Sequence, residues 1–500
     1  MKFIFNVSPN LRQKQSTKKI MFELLIGLLI VFAFALFYYF KTYGMNYVMQ
    51  AIKLMLVSIV VAEITEIAYA YVMKKDQKFS VSYVKDYVFN SFGWITAIIL
   101  TLMCPISITP YALGVSTFFA ILFGKLIFGG FGHNIFNPAA FGRAIIFATF
   151  MGATTDVITS ATPTTLIATE YHWLVVNPEM INEMMDSVGG LQSLFTGWHA
   201  GALGETSALV ILIVGIVLSV RKVIDYRVPL VYLGTIFVLA FGIACLRGVN
   251  AYDGIPGYIW YPLLHLLTGG AMFGAFFMLT DPVTSPTPVA GRCIFALGAA
   301  ILTVLIRIKA NLPEGCLYSI LIMNMLSPMI EKGLTGKQIQ LQKKARITFT
   351  CVAIVGLGSV LLAANVIEPR EPDPLVFIST KDKEVSAFDA KIVEVVKNDD
   401  GTSTYRVNAQ GYKSAEDKNA YNEFEIVVKN HNIISVTPTK IVDTEYIGDK
   451  VESTAFLVQF EGLDLSQDIQ VEINDAVTGA TFTSRSTLRA VEEVRKALGY

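Results

Sequence analysis

The sequence predicts a polytopic α-helical membrane protein, about ten spans arranged as two repeats plus one connecting span, followed by a C-terminal α+β domain. Three observations carry this expectation. Hydrophobic side chains make up 53% of the 500 residues and charged ones 16%, with a mean hydropathy of +0.53, which is too apolar for an ordinary soluble enzyme. Apolar runs of spanning length recur along the first 366 residues. The formal charge of zero is also divided unevenly: residues 367–500 hold 24 acids and 15 bases, whereas the first 366 residues hold 16 acids and 25 bases. Two regions adapted to different solvents follow.

A bilayer core of about 30 Å needs about 20 apolar residues per helix. Spans are expected at 20–40, 47–73, 86–104, 109–128, 139–154, 206–221, 228–247, 262–280, 292–308, 315–331 and 347–366. The first run lacks a small-residue cleavage site and is long enough to span, so it reads as a helix and not as a removable signal. Basic residues gather in the N-terminal segment, at Lys74, Lys75, Lys78 and Lys85, in "RKVIDYR" (221–227) and in "EKGLTGKQIQLQKKAR" (331–346). These segments share one side of the map, which is the cytoplasmic side by the excess of Lys and Arg. The 155–205 connection has acids but no Lys or Arg and falls outside; Arg307 and Lys309 run against the map.

After Asn365, "IEPREPDP" reads as a charged, Pro-rich linker. Period-2 stretches such as "FDAKIVEVV", "STYRVNAQ" and "FEIVVK" then read as strands joined by turns at "NDDG" and "KNHN". The last fifteen residues place Leu488, Val491, Val494 and Leu498 on one helical face. An odd number of spans puts this tail outside the cell membrane and the N-terminus in the cytoplasm. The domain division is 1–343 for the membrane part, 344–372 for the connecting helix and linker, and 373–500 for the tail.

Polar groups inside apolar spans are functional candidates by default. Glu63 and Glu66 lie three apart on one helical face, and Asn134, Asn137, Asp281 and Asn324 lie in or near two loops, "GGFGHNIFNP" and "TDPVTSPTPVAG", each followed by Gly-Arg. Irregular backbone at membrane depth is tolerated only inside protein or around a water-filled cavity. Two such breaks in corresponding halves point to a central ion or substrate site; two plain cytoplasmic loops are the alternative, as is a Glu held for packing alone. The five cysteines all fall in apolar stretches without a Cys-x-x-Cys pair, so buried inert thiols are expected, with no metal site. His133 and His265 read as hydrogen-bonded packing residues.

Two near-copies remain: "DVITSATPTT" (156–165) and "DAVTGATFTS" (475–484). The second combines Gly479 in a turn, small residues and a run of hydroxyls ahead of a helix whose N-terminus suits a phosphate. An ordinary N-cap turn, with Ser484 or Ser486 as the cap, is the structural alternative.

Here the chain resembles the flavin-bearing membrane subunits of the Rnf complex and of the sodium-pumping NADH:quinone reductase. "FGGFGHNIFNPAAFGRA" (128–144), "GETSAL" (204–209), "TDPVTSPTPVAGR" (280–292) and "PEGCLYSILIMNMLSPMIEKG" (313–333) are similar to the D subunit of Rnf; from about residue 344, including "TEYIGDKV" (444–451), the chain is similar to the G subunit. The resemblance implies a fusion with a C-terminal FMN-binding domain. Its motif, Asp-x-x-(Ser/Thr)-Gly-Ala-Thr, is where a flavin transferase joins FMN through its phosphate to the last Thr. It implies FMN on Thr481, framed by Asp475, Thr478, Gly479, Ala480 and Ser484, and a second FMN on Thr162, framed by Asp156, Ser160 and Ala161, with Ser160 departing from the glycine of the pattern. A non-covalent flavin such as riboflavin is implied as well.

The function implied is that of a subunit of a redox-driven ion pump of the ferredoxin:NAD+ type. It would move Na+ or H+ beside iron–sulfur, NAD-binding and further membrane subunits, with no nucleic acid partner. A quinone-reducing complex is the sister alternative, and a plain small-solute channel or carrier is the alternative from another class. The Thr motifs discriminate, because a pure carrier has no use for them.

Overall fold

The computed structural model describes residues 16–73, 81–150, 162–199, 201–310, 312, 315–334, 338–370, 376–398, 401–411, 413, 420–443, 454–473 and 481–500. The chain forms two compact units, Met1–Glu371 and Pro372–Tyr500.

The first unit is helical. In order come α1 (Thr17–Tyr43), α2 (Met45–Met73), α3 (Val81–Ser91), α4 (Gly93–Leu102), α5 (Pro110–Ile121), α6 (Pro138–Thr149), α7 (Pro163–Leu166), α8 (Pro178–Ser187), α9 (Gly190–Thr196) and α10 (Ala208–Val220). Next are α11 (Arg227–Arg247), α12 (Gly257–Leu267), α13 (Ala271–Phe273), α14 (Val289–Ala310), α15 (Gly315–Gly333) and α16 (Gln338–Val366). Three of them run directly into a wider π-turn: α5 into Leu122–Leu126, α7 into Ile167–Tyr171 and α13 into Gly274–Met278.

Local sequence explains several starts. α5, α6, α7 and α8 each begin with a polar cap followed by proline: Thr109-Pro110, Asn137-Pro138, Thr162-Pro163 and Asn177-Pro178. In each case the cap side chain accepts a backbone N–H of the first turn, and proline occupies the position whose own N–H would find no helical partner.

By length and composition, α1, α11, α14 and residues 340–366 of α16 can each cross a bilayer, and α12 with the segment Ala271–Met278 makes a fifth span bent by 67°. The continuous span expected at 262–280 is therefore broken, because Thr268, Gly269 and Gly270 interrupt it and Gly269 takes a φ of 63°. The span expected at 86–104 is also divided, at Phe92, whose φ is 56°. Helices α4, α6 and α10 are apolar but only 10, 12 and 13 residues long, about 15–20 Å at 1.5 Å per residue. They are shorter than the spans expected at 86–104, 139–154 and 206–221.

A large core holds this unit together, with α14 against α11, α15 and α16, and a smaller cluster of Ala62, Ala97, Ile121 and Leu126 joins α2 to α4 and α5. Close approach depends on small residues, as it does between helices in lipid. At Gly142 a Cβ would lie 2.8 Å from the Ala120 Cβ and 2.9 Å from Leu100. Cys245 and Cys351 are exposed, contrary to the expectation that all five thiols are buried. They lie on α11 and α16, apolar helices whose outward faces suit a thiol as well as the core does.

The second unit is strand-rich. Strands β2 (Ala390–Lys397), β3 (Ser403–Gln410), β4 (Tyr421–Lys429) and β5 (Asn432–Lys440) form an antiparallel meander in the order β2-β3-β4-β5, while β1 (Val376–Ser379) pairs with β6 (Gln470–Ile473). Along β4 Asn422, Phe424, Ile426 and Val428 alternate into the core, as the period of two requires. The terminal helix, Thr481–Ala497, buries Leu488, Val491 and Val494 against the same core. It begins earlier than the N-cap reading allowed, so Ser484 and Ser486 are buried helical residues and not caps.

Candidate functional site

The two irregular loops meet. Asn324 on α15 accepts the Asn137 backbone N–H at 3.0 Å through its Oδ1 and donates its Nδ2 to the Thr284 carbonyl at 3.4 Å. One buried side chain thus satisfies backbone from both loops, which is what irregular backbone within a bilayer requires. Each loop follows a π-turn and leads into a helix, α6 in one case and α14 in the other. Asn137 also caps α6, accepting from Ala139 and Ala140. Asp281 is used within its own loop, accepting the Val283 N–H and the Thr284 hydroxyl, both at 3.1 Å. Asn134 donates to the Phe136 carbonyl at 3.1 Å. Asn134, Asn137 and Asp281 line one cavity together with Lys125, Thr96 and Thr280. His133 is exposed in its loop and not packed as expected.

Lys125 escaped the sequence reading. It sits in a π-turn, is 2% exposed, and donates its Nζ to Glu66 Oε1 at 2.7 Å and to the Ser91 carbonyl. Glu66 is fully buried. The signal was available, since Lys125 is a lone cation inside "AILFGKLIF". Glu63 does not join this pair. It lines a separate groove that also carries Lys18, Lys19 and Lys85.

A second buried cation explains the misfit in the charge map. Arg307 is 1% exposed within α14, so it is no loop residue. Its guanidinium donates to the carbonyls of His265 and, at 3.0 Å, Thr268, and lies 4.6 Å from the Trp173 ring centroid. Those carbonyls end α12 at the break, where the helix leaves them without helical partners. His265 is stacked on Trp173 and edge-on to Tyr261, a packing role as expected.

Thr162 lies close to that break. The residue two positions on, Thr164, packs against Gly269, where any Cβ would collide with its methyl group. Thr162 Oγ1 accepts the Thr165 N–H at 3.3 Å and approaches the Thr164 and Thr165 hydroxyls at 3.0 and 2.9 Å. It faces a pocket of about 340 Å³ lined by Tyr38, Tyr43, Asp186, Trp198 and His199, at the low end of the size range of small-molecule sites, roughly 300–1,000 Å³. Asp156, Ser160 and Ala161 lie outside the described residues.

In the tail, Thr481 opens the terminal helix, while Asp475, Thr478, Gly479 and Ala480 lie outside the described residues. Behind Thr481 is a buried polar cluster. Asp443 accepts the Thr483 hydroxyl at 2.7 Å, the Asn422 amide at 2.9 Å and the Lys413 N–H at 3.1 Å, and Asn422 donates to Ser486 Oγ at 3.3 Å. These partners, Asn422 on β4 and Asp443 just after β5, let Thr483 and Ser486 occupy a helix start without competing for its backbone.

Residues 4–340 match the model of the NQR2, RnfD, RnfE family. The D subunit of the proton-translocating ferredoxin:NAD(+) oxidoreductase complex of Clostridium ljungdahlii is 31% identical over 344 residues, covering 66% of this chain and 94% of that protein. The D subunit of the Na(+)-translocating ferredoxin:NAD(+) oxidoreductase complex of Acetobacterium woodii is 34% identical over 336 residues, covering 65% and 91%. The B subunit of the Na(+)-translocating NADH-quinone reductase of Ectopseudomonas mendocina is 32% identical over 253 residues, covering 50% and 60%. With its several apolar helices, the protein is a multi-pass membrane protein, and its chain belongs to the NQR2, RnfD, RnfE family.

Proposed function

We propose that this chain is a subunit of a membrane complex that couples electron transfer to movement of Na+ or H+, of the ferredoxin:NAD+ type. The observation that carries the reading is the pair of irregular loops joined through Asn324 in a chain of this family. The ferredoxin-type relatives are matched over 91% and 94% of their length and the quinone-reductase relative over 60%, which favours the first type. Family membership and the twin Thr motifs speak against a plain carrier. Relatives named for H+ and for Na+ stand at 31% and 34% identity, so the comparison leaves both ions in the proposal.

We further read Thr481 and Thr162 as attachment points for FMN through its phosphate, installed by a flavin transferase. The aromatic rings of Tyr38, Tyr43 and Trp198 beside Thr162 support this reading for an isoalloxazine ring, and the terminal-helix start suits a phosphate. When bound, FMN supplies one- and two-electron carriage; the protein supplies position and surroundings. No iron–sulfur ligand set or nucleotide-binding Gly-rich motif is present in the sequence, so partner subunits are assigned both. The N-terminus is read as cytoplasmic and the tail as extracytoplasmic.

Purified complex in proteoliposomes should move Na+ or H+ only while reduced ferredoxin and NAD+ are both supplied. Ion flux without electron flow would favour the carrier. For orientation, a cysteine replacing the exposed Lys429 should react with an impermeant maleimide on intact cells; reaction only after lysis would reverse the assignment.

A further inference from the structure

We propose that Lys125 is a tethered counter-cation that holds the place of the translocated ion at Glu66. The inference rests on the reading of the chain as ion-translocating. Glu66 lies wholly inside the helical unit, and its two oxygens differ. Oε1 accepts from Lys125 Nζ at 2.7 Å, whereas Oε2 is buried with no hydrogen-bond partner among the described residues. Gly93 at the start of α4 covers the carboxylate so closely that a Cβ there would lie 2.5 Å from Glu66 Cδ. The result is a closed site for one positive charge, with one oxygen engaged and one spare.

The lysine has somewhere else to go. Its side chain also lines the cavity between the two loops, beside Asn134, Asn137 and Asp281. It is carried by the π-turn Leu122–Leu126, a helix irregularity that recurs at functional sites. A salt bridge kept for packing alone would be expected to satisfy both carboxylate oxygens, since a half-satisfied buried pair is costly. When a cation reaches Glu66, Lys125 leaves for the cavity; when the cation departs, Lys125 returns, so Glu66 faces one positive charge in either state. If the ion is a proton, it neutralises Glu66 and releases the ammonium in the same way. Glu63, one turn before Glu66, borders the outer groove and marks an approach to the site.

The test compares the parent complex with Glu66→Gln/Lys125→Met in proteoliposomes driven by reduced ferredoxin and NAD+, reading sodium-22 uptake and a pH-sensitive dye in parallel. The double variant removes both charges together, so no buried charge is left alone. Electron transfer should stay within about two-fold of the parent while ion flux falls at least about 10-fold, the scale of a coupling lost between two sites. Flux equal to the parent's would overturn the proposal and leave the pump reading intact; a parent without flux would sink the reading itself. Should the variant fail to assemble, the unmodified complex answers: acylation of Lys125 by an amine reagent should rise several-fold with saturating cation, and cation-independent labelling would overturn the assignment.

Discussion

Thr481→Ala, denatured and run on a gel, is expected to keep no more than half of the parent's flavin fluorescence, and Thr162→Ala is expected to remove the remainder. The reason is chemical. A phosphoester needs the hydroxyl oxygen, and alanine removes it while keeping the β-carbon. Thr481 belongs to a motif copy with Gly479, whereas the Thr162 copy has Ser160 at that place, and serine enters a positive-φ turn less easily than glycine. The two sites therefore differ in expected occupancy, with Thr481 the fuller. If Thr481→Ala already shows no fluorescence, Ser160 has silenced the first copy. Undiminished fluorescence in Thr481→Ala would refute the assignment to that residue.

Asn324→Ala is expected to destabilise the membrane unit by about 2–6 kcal/mol, from roughly 1–3 kcal/mol for each of two buried polar groups left unsatisfied. The substitution strips partners from the Asn137 N–H and the Thr284 carbonyl together. Both residues are buried, away from water that could replace the lost partner. The measurement is the melting temperature of detergent-purified complex, with a drop of several degrees expected and full electron transfer below the transition. An unchanged melting temperature would mean that the loops do not depend on this bridge.

How much of this was legible depends on whether a signal is local. The alternation in "YNEFEIVVK" and the greasy runs of α1, α11 and α14 report their own surroundings, so strands and long helices could be read residue by residue. The break at 268–270 could not be read from hydropathy, because the segments on both sides are equally apolar; only "TGG" at 268–270 hinted at it. Short helices such as α6 look like spans for the same reason. Lys125 and Arg307 were misjudged because the cost of a buried cation is offset by partners far along the chain, Glu66 in one case and the Thr268 carbonyl in the other. Asn324 was picked out as a polar residue near the breaks, but its bridging of two loops is a property of the fold and not of any window of sequence.

The same non-local logic governs Thr162. Its side chain behaves as an N-cap, as the local pattern Thr-Pro allows, and yet it faces an aromatic pocket built from residues more than a hundred positions away on α1 and about forty positions away on the other side. A capping role and an attachment role compete for one oxygen. If FMN is attached there as proposed, the Thr165 N–H would need another acceptor in place of the free hydroxyl.

Intact mass spectrometry of the chain purified from its native membrane tests the central claim most directly. The predicted result is a mass above that of the bare polypeptide by one or two FMN phosphoester additions, with the peptide containing Thr481 among the modified ones. A chain at its unmodified mass would contradict it.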